Sequence, residues 1–378
     1  MATIKYMNIA ANDYKEINTK RKRDEIIQKI DSDEKEDLPM SHLLKEPDFN
    51  AGFLAAKNPH PLDRTIRFVE SSHTYFVNFE FGKFISDHVM STSALVHSYF
   101  SDFDPDKIIS KMGPKSRNSS KYRGMSSEQI KKMWTDSGTK ASSEGTKFHF
   151  LLECVWNNMS LEPFANYKVI KQYMKWKSEV LDPLNVVAFR SEQRMRTGLE
   201  HRITGSADQL FVYKNQDMNS NVLKILIVDW KFSKKITRSS FFGSGIGVCG
   251  VLDDCNYSHY LLQQNIYKHM LEKYYGNWTY NGKTFEKIEI AGMHLAVFHD
   301  TRTTYESIIL PDVQEIVLDM MADRKEQLAK IMAGDINAQL VPIENAVKLA
   351  NVESDERNMV FSGVQDDEDD EIVPLTKS

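Results

Sequence analysis

Cysteine is nearly absent from this 378-residue chain, and so is any long apolar run. The three cysteines, Cys154, Cys249 and Cys255, form no CxxC pair. An odd and sparse count argues against a secreted disulfide framework. It also leaves too few thiolates for a four-cysteine iron–sulfur cluster. Cys249, Cys255 and His259 match no common zinc spacing. No stretch of about 18 apolar residues occurs, so no membrane-spanning helix is expected. The opening residues lack the apolar segment of a signal peptide and the acid-free composition of a transit peptide, so an intracellular soluble protein is the expectation. There is no internal repeat.

A strong net positive charge is also missing. The formal net charge is −5, which at first sight speaks against a nucleic-acid partner. The distribution reverses that impression. Asp366 to Glu371 is an unbroken acidic run, and a second acidic stretch covers Asp31 to Asp37. Lys107 to Lys147 carries ten Lys or Arg against three acids, and Lys231, Lys234, Lys235 and Arg238 have no acid between them. Such local patches set the field that a phosphate backbone meets.

Periodicity divides the chain into three parts. Residues 1–60 are polar and charge-rich and read as a loosely attached arm, and residues 341–378 read as an acidic disordered tail. Between them, 61–340 carries the folded domain, with 61–136 as an accessory hairpin and helices and 137–340 as the core. The alternating TIRFVESSHTYFVNFEF, Thr65 to Phe81, predicts a hairpin. Short helices are expected from Ser91 or Ser93 to Tyr99 and from Asp104 to Met112, with a loop from Lys115 to Arg123. Ser126 with Gln129 is a capping-box signature for a helix through Trp134. Further helices are expected over Ser142 to Trp156, Ala165 to Val180, Tyr257 to Tyr274 and Asp312 to Ala333. Strands are expected over Val186 to Met195, Arg202 to Tyr213, Val222 to Trp230, Lys287 to Phe298 and Thr304 to Ile309. This order implies an α/β fold with a mixed central sheet flanked by helices.

Chemistry-bearing residues gather in four segments. Leu223 to Val228 is apolar enough for a buried strand, and Asp229 and Lys231 follow it two apart. Strand alternation puts both on one face and Trp230 on the other. An antiparallel neighbour would bring Asp208, of Gly205-Ser206-Ala207-Asp208, beside Asp229. Two adjacent carboxylates repel unless a cation lies between them, and hard oxygen donors favour Mg²⁺ or Mn²⁺. His149 and Glu153 stand four apart on one helix, and Gln263 and Tyr267 repeat that spacing on another.

Together, GTKFHFLLE (145–153), GSAD (205–208), DWK (229–231) and QQNIY (263–267) resemble the PD-(D/E)XK nuclease superfamily in its RecB and lambda-exonuclease branch. HTYF (73–76) and SALVHSYFSDFD (93–104) are similar to exonuclease-like proteins of large DNA viruses and to the mitochondrial genome-maintenance exonuclease. The resemblance implies a restriction-endonuclease-like sheet and a metal-dependent deoxyribonuclease. It implies one or two Mg²⁺ or Mn²⁺ ions held by Glu153, Asp208, Asp229 and the Trp230 carbonyl, with His149 behind them. It implies no iron–sulfur cluster. Lys231 would act on the attacking water, and Gln263 and Tyr267 would position the lysine and the DNA. Glu192, in RSEQRMR, is a further candidate near the same site. Lys140, Lys147, Lys234, Lys235 and Arg238 flank these segments as candidate phosphate contacts. Trp134, Tyr122, Phe241 and Phe242 are candidates for base stacking, with core packing favoured for Trp134.

The expected activity is a DNA exonuclease of replication, recombination or repair, acting on free or single-stranded ends. A structure-specific endonuclease on DNA or RNA and an inactive nucleic-acid-binding pseudonuclease are the alternatives. Gly245-Ile246-Gly247-Val248-Cys249-Gly250 satisfies GxGxxG, but it does not follow a buried strand and Asp253-Asp254 stands where a helix should run. It is expected to be a loop rather than a dinucleotide site. Lys20 to Arg23 is too short to distinguish a nuclear signal from a solvated helix face.

Overall fold

The computed structural model describes residues 37–43, 52–69, 72–79, 82–240 and 243–335. Most of the expected arm, the acidic tail, Phe241 and Phe242 lie outside the described residues.

In chain order the strands are β1 (Ile66–Val69), β2 (Thr74–Val77), β3 (Met90–Ser91), β4 (Val186–Arg196), β5 (Ile203–Tyr213), β6 (Val222–Phe232), β7 (Trp278–Tyr280), β8 (Lys283–Phe285), β9 (Lys287–Phe298) and β10 (Glu306–Ile309). The helices are α1 (Phe53–Lys57), α2 (Thr92–His97), α3 (Pro105–Lys111), α4 (Pro114–Arg117), α5 (Ser127–Trp156), α6 (Lys168–Trp176), α7 (Asn256–Tyr274) and α8 (Gln314–Met332). Among the described residues no helix is long and apolar enough to cross a membrane.

Six strands form one mixed sheet. β6 pairs parallel with β9, β9 antiparallel with β10, and β5 antiparallel with both β4 and β6. Helices cover both faces, and the strand alternation shows which side chains meet which helices. Leu223, Ile225 and Ile227 of β6 join a core with Tyr260, Ile266 and Met270 of α7 and Val317 and Met320 of α8. Leu226, Val228, Trp230 and Phe232 point the other way, into a core with Phe148, Leu151 and Leu152 of α5 and Tyr173 and Trp176 of α6. β9 divides in the same manner, with Leu295 and Val297 on the first side and Ala296 and Phe298 on the second. A strand covered on both faces must be apolar where it is covered, and Leu223 and Ile225 to Val228 are, while Lys224 is exposed at the strand's outer end.

Local signals act as their chemistry requires. Ser91 Oγ accepts from the Ala94 amide at 3.0 Å to start α2, and Asp104 Oδ1 accepts from the Lys107 amide at 3.0 Å to start α3. The Ser126–Gln129 capping box is present in both directions. The helix it opens does not stop at Trp134. It runs 30 residues to Trp156 and absorbs the polar stretch between the two expected helices. No proline interrupts it, so hydrogen bonding carries the helix through a segment without apolar periodicity. The loop expected from Lys115 to Arg123 begins with one helical turn, Pro114–Arg117. α6 ends at Trp176 and continues as a π-turn over Lys177–Leu181.

The polar arm is not uniformly loose. Leu38, Met40 and Leu43 are buried in the second core, and the Met40 amide donates to Asp300 Oδ2 at 2.8 Å. Three apolar side chains within a charged segment suffice to dock it. Trp134 and Tyr122 are buried together with Ile109 and Ile130, and Trp134 Nε1 donates to the Tyr122 hydroxyl at 3.2 Å. Both rings are committed to packing and are closed to base stacking. The GxGxxG segment is a loop with a single 3-10 turn, Gly247–Cys249, and α7 begins only at Asn256.

Candidate active site

The site arises where β5 and β6 part. Their antiparallel pairing runs from Val212↔Ile225 to Gln209↔Val228 and ends there. One step further the register would set Asp208 against Asp229. Instead the Trp230 amide donates to Asp208 Oδ2 at 2.8 Å, so a side chain replaces the strand partner. β4 occupies the other edge of β5, and β3 pairs with Ile203 and Thr204 beyond the gap. The split admits groups from both layers of helices.

From one layer comes α5. His149 Nδ1 lies 3.4 Å from Asp208 Oδ2, both side chains being largely enclosed. From the β4 edge comes Glu192. The β4–β5 ladder pairs Ser191 with Gln209 and Gln193 with Ala207, and Glu192 between them has a left-handed φ of 45°. Such a backbone costs a non-glycine residue on the order of 1–3 kcal/mol, and strain of this kind concentrates at functional sites. Ser206 Oγ donates to Glu192 Oε2 at 3.0 Å. Ligand atoms of His149, Glu192 and Asp208 all fall within 4.8 Å of one another. One nitrogen and two carboxylate oxygens at this spacing are compatible with a divalent cation.

From the other layer comes α7. Asp229 and Lys231 share its side, as strand alternation requires, while the Trp230 indole packs edge-on to Trp176 at 5.4 Å on the opposite face. Lys231 Nζ lies 3.0 Å from Asp229 Oδ2 and 4.4 Å from the Tyr260 ring centre. Gln264 Nε2 donates to Asp229 Oδ1 at 2.7 Å. Asp229 is only 2% exposed. Burial raises its carboxyl well above the usual carboxylate range, opposed by the Lys231 charge and reinforced by that of Asp208.

Gln263 Nε2 donates to the Tyr267 hydroxyl at 3.2 Å and to Ser93 Oγ at 3.3 Å. Tyr267 lies against Gly205. A Cβ at that glycine would stand 2.5 Å from Tyr267 Cε1 and 2.7 Å from Thr92 Oγ1, so only glycine permits this approach.

Asp208, His149, Asp229 and Lys231 meet at the split. Glu153 lies one turn beyond His149 on α5, half-buried, and is not in the three-residue cluster. Glu192 is in it. Gln264 and Tyr260 were not singled out from the sequence. Their signal was helical spacing, since 260, 264 and 267 fall on one face of α7.

Of the basic candidates, Lys140, Lys147 and Lys234 surround Glu144, whose pKa is raised by burial against their opposing charge. Lys140 lies 3.9 Å from Glu144, and Lys147 Nζ donates to the Leu43 carbonyl at 3.1 Å. Lys234 is exposed and Lys235 half-buried. Arg238, also exposed, stands 4.7 Å over the Tyr257 ring.

No family model and no curated protein sequence matches this chain. Among the solved structures that resemble it in part, two show the extent of the likeness. A candidate exonuclease from Eubacterium rectale is 12% identical and overlaps 66% of this chain and 83% of its own, with a TM-score of 0.31. The protein SSO0001 is 17% identical and overlaps 63% of this chain and 75% of its own, with a TM-score of 0.22. At these scores the likeness carries no weight, and the chemistry rests on the side chains at the split.

Proposed function

We propose that this chain is a magnesium- or manganese-dependent DNA exonuclease that hydrolyses phosphodiester bonds at free or single-stranded ends, in replication, recombination or repair. The observation that carries the reading is the pairing of two unlike groups across one split strand pair: the His149–Glu192–Asp208 cluster and the Asp229–Lys231 ion pair.

His149, Glu192 and Asp208 would hold the cation, with Asp229 completing the site across the split. A divalent cation bound there supplies Lewis acidity toward a phosphodiester. Lys231 offers a fixed positive charge to the negative charge that develops on the phosphate, and a donor to orient the attacking water. Asp229 holds that ammonium at Oδ2 while Gln264 holds Asp229 at Oδ1. The Tyr260 ring backs the ammonium from the helix side. The Gln263–Tyr267 pair, wedged on Gly205, keeps α7 against β5 beside these groups. Lys140, Lys147 and Lys234 are assigned to the phosphate backbone beyond the site, where nearby positive charge lowers the cost of bringing DNA in.

The test is incubation with end-labelled linear DNA and with circles, single- and double-stranded, in Mg²⁺, Mn²⁺ or EDTA. Nucleotides released from linear DNA alone, and only with metal, are the expected result. Cut circles would establish endonuclease action instead. Absence of cleavage under every divalent cation would overturn the reading.

A further inference from the structure

The β1–β2 hairpin stands beside the cluster and does more than the proposed chemistry needs. Its inner pair, Ile66↔Val77, is buried and anchors it. The next pair on the same face, Phe68↔Tyr75, is only half-buried, with ring centres 4.6 Å apart. Arg194, on β4 two residues from Glu192, places its guanidinium 5.6 Å from the Phe68 ring centre. Arg194 is exposed and makes no side-chain hydrogen bond or ion pair among the described residues. Tyr75 is close to the site itself. Burial pushes its hydroxyl up to about 12, with the Arg194 charge opposing and the Glu192 charge reinforcing the shift. Tyr75 in turn bears on the hydroxyl of Tyr267.

Two half-buried rings and an unpaired guanidinium next to acidic residues suit bases better than a duplex backbone. In a duplex the base faces are already stacked, whereas an unpaired strand offers them to aromatic rings and arginine planes. We propose that Phe68, Tyr75 and Arg194 form a stacking platform that receives an unpaired nucleic-acid strand at the mouth of the site. This rests on the nuclease reading of the split, and it adds the surface that selects single strands.

Binding read in EDTA keeps the platform separate from catalysis. Fluorescence anisotropy with a labelled oligothymidylate, and with a duplex of equal length, is measured for the intact protein, Arg194→Gln and Phe68→Leu. Each substitution should weaken oligothymidylate binding roughly tenfold, the scale of one lost stacking partner, and leave duplex binding nearly unchanged. Arg194→Gln touches an exposed side chain and should keep the native melting temperature, so it decides the matter even if Phe68→Leu fails to fold. Equal losses on both DNAs, no loss on either, or no oligothymidylate binding by the intact protein would overturn the platform. Cleavage that persists in Arg194→Gln alongside unchanged binding would sink the platform and spare the nuclease reading. Selective binding loss in a protein that never cleaves would do the reverse.

Discussion

Asp208 and Asp229 would face each other if the β5–β6 ladder continued, yet the two carboxylates live in opposite surroundings. Asp208 has its side chain 13% exposed and stands with His149 and Glu192, both of which can take a cation. Asp229 is 2% exposed and is closed in by Lys231 and Gln264. One half of the site is the more open and ligand-rich, and the other is sealed and internally paired. A pair of equivalent acids would compete for one ion. Under the proposed function unlike acids would divide the labour, the Asp208 side supplying most of the cation's ligands and Asp229 also aligning the ammonium.

Breaking the sealed half at its charge should have the largest effect. Lys231→Ala is expected to lower the initial rate of nucleotide release by about 10²–10⁴-fold, the range for a positioned proton-handling group, with cation-induced thermal stabilisation retained. Loss of that stabilisation would show that the two halves are not separate. In the open half, Glu192→Gln should weaken cation binding, read by calorimetry, more than Glu153→Gln does. The opposite ranking would make Glu153 the stronger cation ligand of the two. Gln264→Leu should be milder, at roughly 10–100-fold in cation affinity or rate, as for groups that orient a ligand from behind.

Gly205→Ala tests the wedge that holds α7 against the split. The added methyl overlaps the Tyr267 ring, and overpacking of this kind costs about 1–3 kcal/mol in urea denaturation. An unchanged midpoint would mean that Tyr267 yields freely.

The smallest effect is a pH dependence of stability away from the site. Burial lowers His269 to about 4 and His299 to about 4, from an ordinary 6.5. The unfolded chain therefore binds these protons first. The stabilisation is complete above pH 6.5 and is lost as pH falls from 6.5 toward 4. Thermal melts across that window should show a falling midpoint, and His299→Gln should flatten part of the slope. A midpoint constant from pH 7 to 4 would contradict the assignment.

How much of this was legible beforehand differs by kind of residue. β6 was read correctly from LKILIV and the DWK triplet, because a strand's period of two is a local property that assigns Asp229 and Trp230 to opposite faces without a partner. The capping box at Ser126 was equally local, and so was the hairpin at 65–81. That α5 runs on from Trp134 to Ser142 was not, since its polar middle has no apolar pattern to follow and only backbone hydrogen bonds mark its course. β3 is two residues long and exists through its pairing with Ile203 and Thr204.

The same division runs through the site. The sequence by itself determined which residue types are present, which share a strand face or a helix face, and hence that Asp229 travels with Lys231 and His149 with Glu153. Only the tertiary structure decided that Glu192 stands with Asp208 and His149, and that Gln264 reaches Asp229. Those choices depend on a left-handed backbone at Glu192, on the place where β5 and β6 separate, and on the rotation of α7 against the sheet. Each is set by contacts between residues tens of positions apart, and spacing along one element carries no record of them.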